Sequence, residues 1–231
     1  MIERYSLTAS SQKIAERFSA EVPGYYTPRY NAATTQLLPV ITSADPNGLS
    51  LFYWGRPPLW AKNKSLSERI INLRSESLVE RPVLKKALLK FRCIIPADGF
   101  YAWKKLGKKT SIPYRFITDQ DLFSFAGLWE EFEDETGSMV HTFTLITTGA
   151  NETVAKVTER MPVILGKEEE QVWLNPTSTE TNLIAQLHSY PPKKLNLYTV
   201  SPRILETKLD VPSLIIPAPP ADQHGNLTLF D

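Results

Sequence analysis

The reactive side chains of this 231-residue chain are few. Its one cysteine, Cys93, precedes Ile94 and Ile95 in an apolar run and reads as a buried, inert thiol rather than a nucleophile. The histidines His141, His188 and His224 show no ligand-like spacing with one another or with Cys93, so neither a zinc site nor a cofactor is expected. What remains suits binding. Asn72 and Arg74 alternate in Ile71-Asn72-Leu73-Arg74-Ser75-Glu76, and on an extended segment both side chains point the same way. An asparagine can hydrogen-bond a sugar oxygen or carbonyl, and an arginine can grip a phosphate with two N–H groups. The same residues also fit a structural role, with Asn72 in a turn and Arg74 paired to Glu76 or Asp98.

Charge is balanced over the whole chain, at a formal +1, but not along it. Residues 56–115 hold 15 Lys/Arg against 4 Asp/Glu, while the rest holds 11 against 21. Trp54, Trp60, Phe100, Tyr101, Trp103 and Tyr114 lie in or beside this basic stretch. Aromatic faces stack bases while Lys and Arg neutralise phosphates, so the combination favours nucleic acid over an ordinary solvated surface. Trp54 and Phe100 also suit a plain core.

The elements that must position these groups are mostly strands. Eighteen prolines and many short Val/Ile/Leu/Phe/Tyr runs predict frequent turns. Strands are expected at Leu37–Thr42 and Leu49–Trp54, as a hairpin around Asp45-Pro46-Asn47-Gly48. Further strands are expected at Cys93–Pro96, Phe100–Lys104, Tyr114–Thr118, Leu122–Phe132, Val140–Thr147, Pro162–Leu165 and Leu195–Val200. Ser10 or Ser11 caps a helix through Ser19, and Pro82 opens one whose Val83, Leu84, Ala87, Leu88 and Phe91 form an apolar stripe. Between Arg56-Pro57-Pro58 and Pro82 the chain reads as irregular. Asn151 caps a short helix to Val157, and Lys167–Leu174 and Thr179–His188 read as two more. The sum is a β-rich α+β domain. With no apolar leader, no run of about 18 apolar residues and no possible internal disulfide, a soluble cytoplasmic protein without membrane contact is expected.

Several phrases in order resemble the SRAP family (SOS response-associated peptidase, abasic-site processing). They are Arg4-Tyr5, Arg29-Tyr30-Asn31-Ala32, Trp54-Gly55 with Trp60, Asn72 and Arg74, and Arg92-Cys93-Ile94-Ile95-Pro96-Ala97-Asp98-Gly99-Phe100-Tyr101 with Trp103. Thr147 in Ile146-Thr147-Thr148-Gly149-Ala150-Asn151, Arg160-Met161-Pro162-Val163-Ile164-Leu165 and Ser201-Pro202-Arg203 continue the series. The resemblance implies one domain over residues 1–216, with 217–231 a loose tail, built of twisted mixed sheets around a barrel-like core with short flanking helices. It further implies a positively charged groove for single-stranded DNA, abasic sites included, in a monomer. The DNA-contacting set it implies is Arg4, Asn31, Trp60, Asn72, Arg74, Trp103, Thr147 and Arg160.

In that family, an N-terminal cysteine exposed by methionine removal closes a thiazolidine on the abasic aldehyde, helped by an asparagine, a glutamate and a histidine. Here Ile2 replaces the cysteine, Ala102 the glutamate and Thr158 the histidine, while Asn72 is kept. Without a thiol no thiazolidine closes, and neither Ala nor Thr titrates near neutral pH. A bulky Ile2 disfavours methionine removal, so Met1 is expected to stay and to offer its own α-amine. The expectation is therefore DNA binding without a stable covalent product. The alternatives are a pseudoenzyme groove retuned to another ligand or a protein partner, and catalysis by Glu3 or Glu159 as a replacement acid.

Overall fold

The computed structural model describes residues 2–55, 71–107, 110–134 and 136–228. Strands dominate because the chain is cut into short runs rich in β-branched and aromatic residues. The most apolar runs take the most central places. β6 (Arg92–Ala97) is buried at all six positions and lies between β3 (Leu37–Thr42) and β9 (Phe123–Glu133). β3 forms the expected antiparallel hairpin with β4 (Ser50–Trp54), Leu37 facing Tyr53. β4 then runs parallel to β10 (Met139–Gly149), and β10 pairs antiparallel with β9 from Met139–Glu133 to Leu145–Gly127. That last pairing joins the ends of the sheet, so β10, β4, β3, β6 and β9 form a closed ring. Closure leaves the ring no free edge.

A second sheet has the order β13-β8-β7-β1-β2, from Leu195–Thr199, Ser111–Thr118, Gly99–Lys105, Arg4–Leu7 and Arg29–Ala33. It lies on the barrel through aromatic rings. Tyr5 of β1 packs 5.4 Å from Trp54 and 5.9 Å from Phe125, while Phe100 of β7 packs 6.2 Å from Phe125. β7 alternates as a two-sided strand should: Phe100 and Ala102 belong to the main core, Tyr101 and Trp103 to a smaller cluster with Val200, Ile204 and Leu214. The architecture is the expected β-rich α+β fold with a barrel at its centre.

Five short helices flank it among the described residues: α1 (Ser11–Phe18), α2 (Ser75–Glu80), α3 (Pro82–Lys90), α4 (Lys167–Leu174) and α5 (Glu180–Ala185). Ser10 and Thr179 cap α1 and α5 by accepting from the Lys13 and Asn182 amides. The Asn151 carboxamide accepts from the Thr153 and Val154 amides to start a 3-10 turn at Val154–Lys156.

Four local expectations need correction. The stretch read as irregular before Pro82 holds β5 (Asn72–Arg74) and α2. α3 packs against α2, α5 and β6; Leu88 is buried and Leu84 packs on the core, while Val83 is 63% exposed and outside the apolar stripe. The strand expected at Pro162–Leu165 is two pieces: β11 (Arg160–Pro162) pairs with β10, and β12 (Ile164–Leu165) with β9. Val163 makes the transfer, donating to the Ile146 carbonyl and accepting from the Ala126 amide. Residues 217–228, expected as a loose tail, are tied to the body. Pro217 bridges Val200, the Ala218 amide donates to the Thr199 carbonyl, and Gln223 accepts from the Ser111 amide.

Candidate nucleic-acid interface

The site is assembled where the second sheet, β5 and β11 meet the start of the chain. Parallel pairing with β10 holds β5 extended and sets Asn72 beside Leu145 and Arg74 beside Thr147. Leu73 is buried between them, so Asn72 and Arg74 share the other side, as their alternation predicts. The Asn72 amide Nδ2 donates to the Ile2 carbonyl at 2.7 Å, while its Oδ1 is buried without a partner in the described structure. Asn72 therefore touches the backbone of the position where the family resemblance puts its nucleophile. The Ile2 side chain is wholly buried in the main core.

Arg4 is held by its surroundings. Nη1 donates to Asn31 Oδ1 at 2.9 Å and Nη2 to the Leu205 carbonyl at 3.3 Å, and burial lowers its pKa against the opposing pull of Glu3. Asn31 is fully buried, and its Nδ2 also donates to the carbonyls of Ile204, Glu206 and Leu209. Its carboxamide is thus spent inside the protein, fixing Arg4 and the 202–209 segment. Thr147 is likewise buried, and Arg160 Nη2 donates to its backbone carbonyl at 2.6 Å and to its Oγ1 at 3.4 Å.

Arg160, on β11, also makes a two-pronged ion pair with Glu76 in the first turn of α2, at 2.6 and 2.9 Å. The guanidinium holds the Glu76 carboxyl down at about 2, the paired hydrogen bonds outweighing partial burial. Arg74 stands 3.9 Å from the same carboxylate and is 68% exposed. The sequence suggests Glu76 as a partner for Arg74; the stronger pairing, with Arg160, crosses 84 positions and carries no local signal.

Arg4 and Arg160 line a cleft of about 840 Å³; Asn72, Arg74 and Glu76 lie outside its lining, tied to it through Ile2 and Arg160. Its cationic lining is Arg4, Lys104, Lys105, Lys156 and Arg160, against the carboxylates Glu3 and Glu159, with Trp103 as its aromatic wall. Ala102 and Thr158 lie in the same lining, so the positions where the resemblance implies a glutamate and a histidine face one space. Lys104, Lys105 and Lys156 are additions that sequence reading did not single out, although the first two belong to its basic stretch. Trp54, Phe100, Tyr101 and Tyr114 are buried, while Trp103 is half-buried at the cleft. Met1 and Trp60 lie outside the described residues. Cys93 is buried, its thiol pushed up by desolvation, and is not part of this lining.

The model of the SOS response associated peptidase (SRAP) family matches residues 1–207. The chain belongs to the SRAP family. It is 39% identical over 221 residues to the abasic site processing protein YoqW of Bacillus subtilis, covering 93% of this chain and 99% of that one. It is 29% identical over 227 residues to the abasic site processing protein HMCES of Gallus gallus, covering 84% and 67% of the two chains. Among solved structures, an X-ray crystal structure of a Bacteroides thetaiotaomicron protein matches with a TM-score of 0.82 at 27% identity, covering 93% of this chain and 99% of that one. A Bordetella bronchiseptica protein shares the fold, with a TM-score of 0.72 at 24% identity over 86% of this chain and 99% of that one. The SRAP match over residues 1–207 spans every described group that lines the cleft, from Glu3 to Leu205.

Proposed function

We infer that this SRAP protein binds single-stranded DNA, abasic sites included, in the cleft lined by Arg4, Trp103 and Arg160, with Asn72 and Arg74 beside it, and forms no stable thiazolidine there. One observation carries the reading: five cationic side chains and a tryptophan share a cleft with Ala102 and Thr158, beside an Ile2 sealed in the core. The means of binding a polyanion persist where the means of the family's covalent chemistry do not. The relatives' abasic site processing supplies the substrate class.

Among the amines of the chain, the Met1 α-amine has a lower reference pKa than any lysine. An α-amine titrates near 7.7–8.0, so at neutral pH a minority is free to attack an aldehyde. Its nitrogen adds to the ring-opened aldehyde carbon of an abasic site, and loss of water from the carbinolamine gives a reversible imine. Borohydride delivers hydride to that imine and fixes it as a secondary amine. The expected result is borohydride-dependent trapping of this protein on an abasic oligonucleotide, with no adduct unless reductant is present. An adduct that survives without reductant contradicts the loss of crosslinking; failure to trap, while a cysteine-bearing relative traps, removes the amine chemistry but leaves binding to be judged separately.

Binding itself is tested by salt. A groove that neutralises phosphates loses affinity for single strands with a log–log slope of about −0.7 per phosphate contacted, so engaging about three gives a slope near −2. Arg74→Ala should weaken binding and flatten the slope, whereas a groove retuned to another ligand shows no DNA binding even at low salt. Catalysis by Glu3 or Glu159, the two carboxylates in the lining, is a weaker reading that removal of either group without loss of activity disposes of.

A further inference from the structure

Glu76 carries an assignment of its own. Its carboxylate spans the Arg160 guanidinium with both oxygens, at 2.6 and 2.9 Å, in the paired geometry with which arginine also takes two oxygens of a phosphate. Arg74 Nε lies 3.9 Å from the same carboxylate, so Glu76 meets two guanidinium groups, of which Arg160 lines the cleft. A strut for Arg160 is not needed there. Its Nη2 already donates to the Thr147 carbonyl at 2.6 Å, and the pairing of Gly149 with Arg160 fixes the backbone. Glu76 is also accessible, its side chain 49% exposed, and it further accepts a 3.3 Å hydrogen bond from Ser75 Oγ and one from its own backbone. A half-exposed carboxylate in the first turn of a six-residue helix can leave without disturbing the core.

We propose that Glu76 is a built-in phosphate surrogate, an internal anion that occupies the Arg160 fork and must give way to a DNA phosphodiester drawn between Arg74 and Arg160. It lowers affinity for any single strand and reserves tight binding for DNA whose other contacts make the exchange favourable. The proposal rests on the DNA-binding reading of this groove and deepens it by naming the group that competes with the ligand.

The test measures binding of a fluorescent single-stranded 20-mer, by anisotropy across a salt series, for the full chain and for Glu76→Gln, Arg160→Ala and the double variant. Thermal melts confirm that each is folded. A surrogate predicts that Glu76→Gln binds about three- to tenfold tighter at low salt. Its log–log salt slope steepens by about 0.7, the signature of one more phosphate neutralised on a single strand. It also predicts that Arg160→Ala costs more affinity in the Glu76→Gln background than in the unaltered chain, because only there is the fork free beforehand. Unchanged or weaker binding by folded Glu76→Gln, or an Arg160→Ala loss no larger in that background, overturns the proposal while leaving the groove reading intact. If neither the unaltered chain nor Glu76→Gln binds at low salt, the groove reading fails and the surrogate fails with it.

Discussion

Glu76 and Arg160 show how far one ion pair moves a titration. Because Glu76 is held at about 2, below the ordinary glutamate range near 4.3, its contribution to stability is present above the unfolded value and is lost as pH falls toward 2. The carboxylate is half exposed, so solvent and salt screen much of that contribution. Glu76→Gln should therefore melt slightly lower than the parent at pH 7. The gap should close between about pH 4.5 and 2, and close again in high salt, as differential scanning calorimetry would show. A gap that persists at pH 2 would mean that the glutamine acts through something other than charge. Arg74 and Asn72 were legible at this scale because alternation on a strand is a local rule, and Leu73 buried between them obeys it. Asn31 was legible as important but not in its role: the carbonyls it binds come from residues 204–209, which no local pattern links to it.

At the scale of elements, Arg92 joins two helices to the barrel. It opens β6, is 1% exposed, and has no carboxylate partner among the described residues. Its guanidinium donates to the Leu88 and Leu89 carbonyls in the last turn of α3, and to the Trp173 and Asn175 carbonyls at the end of α4. A cation at the C-terminal ends of two helices meets carbonyls that lack partners of their own and the negative ends of both dipoles. Replacing it by methionine keeps much of the apolar stem and strands those carbonyls, at an expected cost of roughly 3 kcal/mol. For a chain of this size that lowers Tm by about 6–12 °C. Arg92→Lys, with one ammonium to serve two helix ends, should fall between; parity of Arg92→Met with the parent would show the two caps to be dispensable. The helices themselves were mostly readable, since α1, α3, α4 and α5 carry caps, an initial proline or an apolar repeat. α2 was not, because its six residues, Ser75–Glu80, offer too little length for a periodic signal and no side-chain cap.

Across the whole molecule, the described part of the basic stretch seen in the sequence does not form a single patch. Arg92 and Arg115 are buried, the latter against Asp98 at 2.8 Å, Lys85 pairs with Glu180 at 2.9 Å, and among the described residues Lys104 and Lys105 are the cations of the stretch that line the cleft. The fold instead brings in Arg4, Lys156 and Arg160 from outside that stretch, so the electrostatics of the site belong to tertiary structure rather than composition. The same holds for barrel closure. The β3–β4 hairpin follows from a turn sequence, but the parallel contact of β4 with β10 and the return of β10 to β9 depend on which strands find one another. One feature of that ring equips the protein with its own probe. Cys93 lies on β6 with no exposed surface, so a maleimide or disulfide reagent reaches its sulfur only when the ring opens. As the chain's sole thiol, it yields a single mass increment per opened molecule, and its labelling rate across denaturant clocks the parting of β3, β6 and β9 without any foreign dye or engineered residue. Rapid modification under native conditions would reveal a ring that breathes far more than its closed hydrogen-bonding suggests.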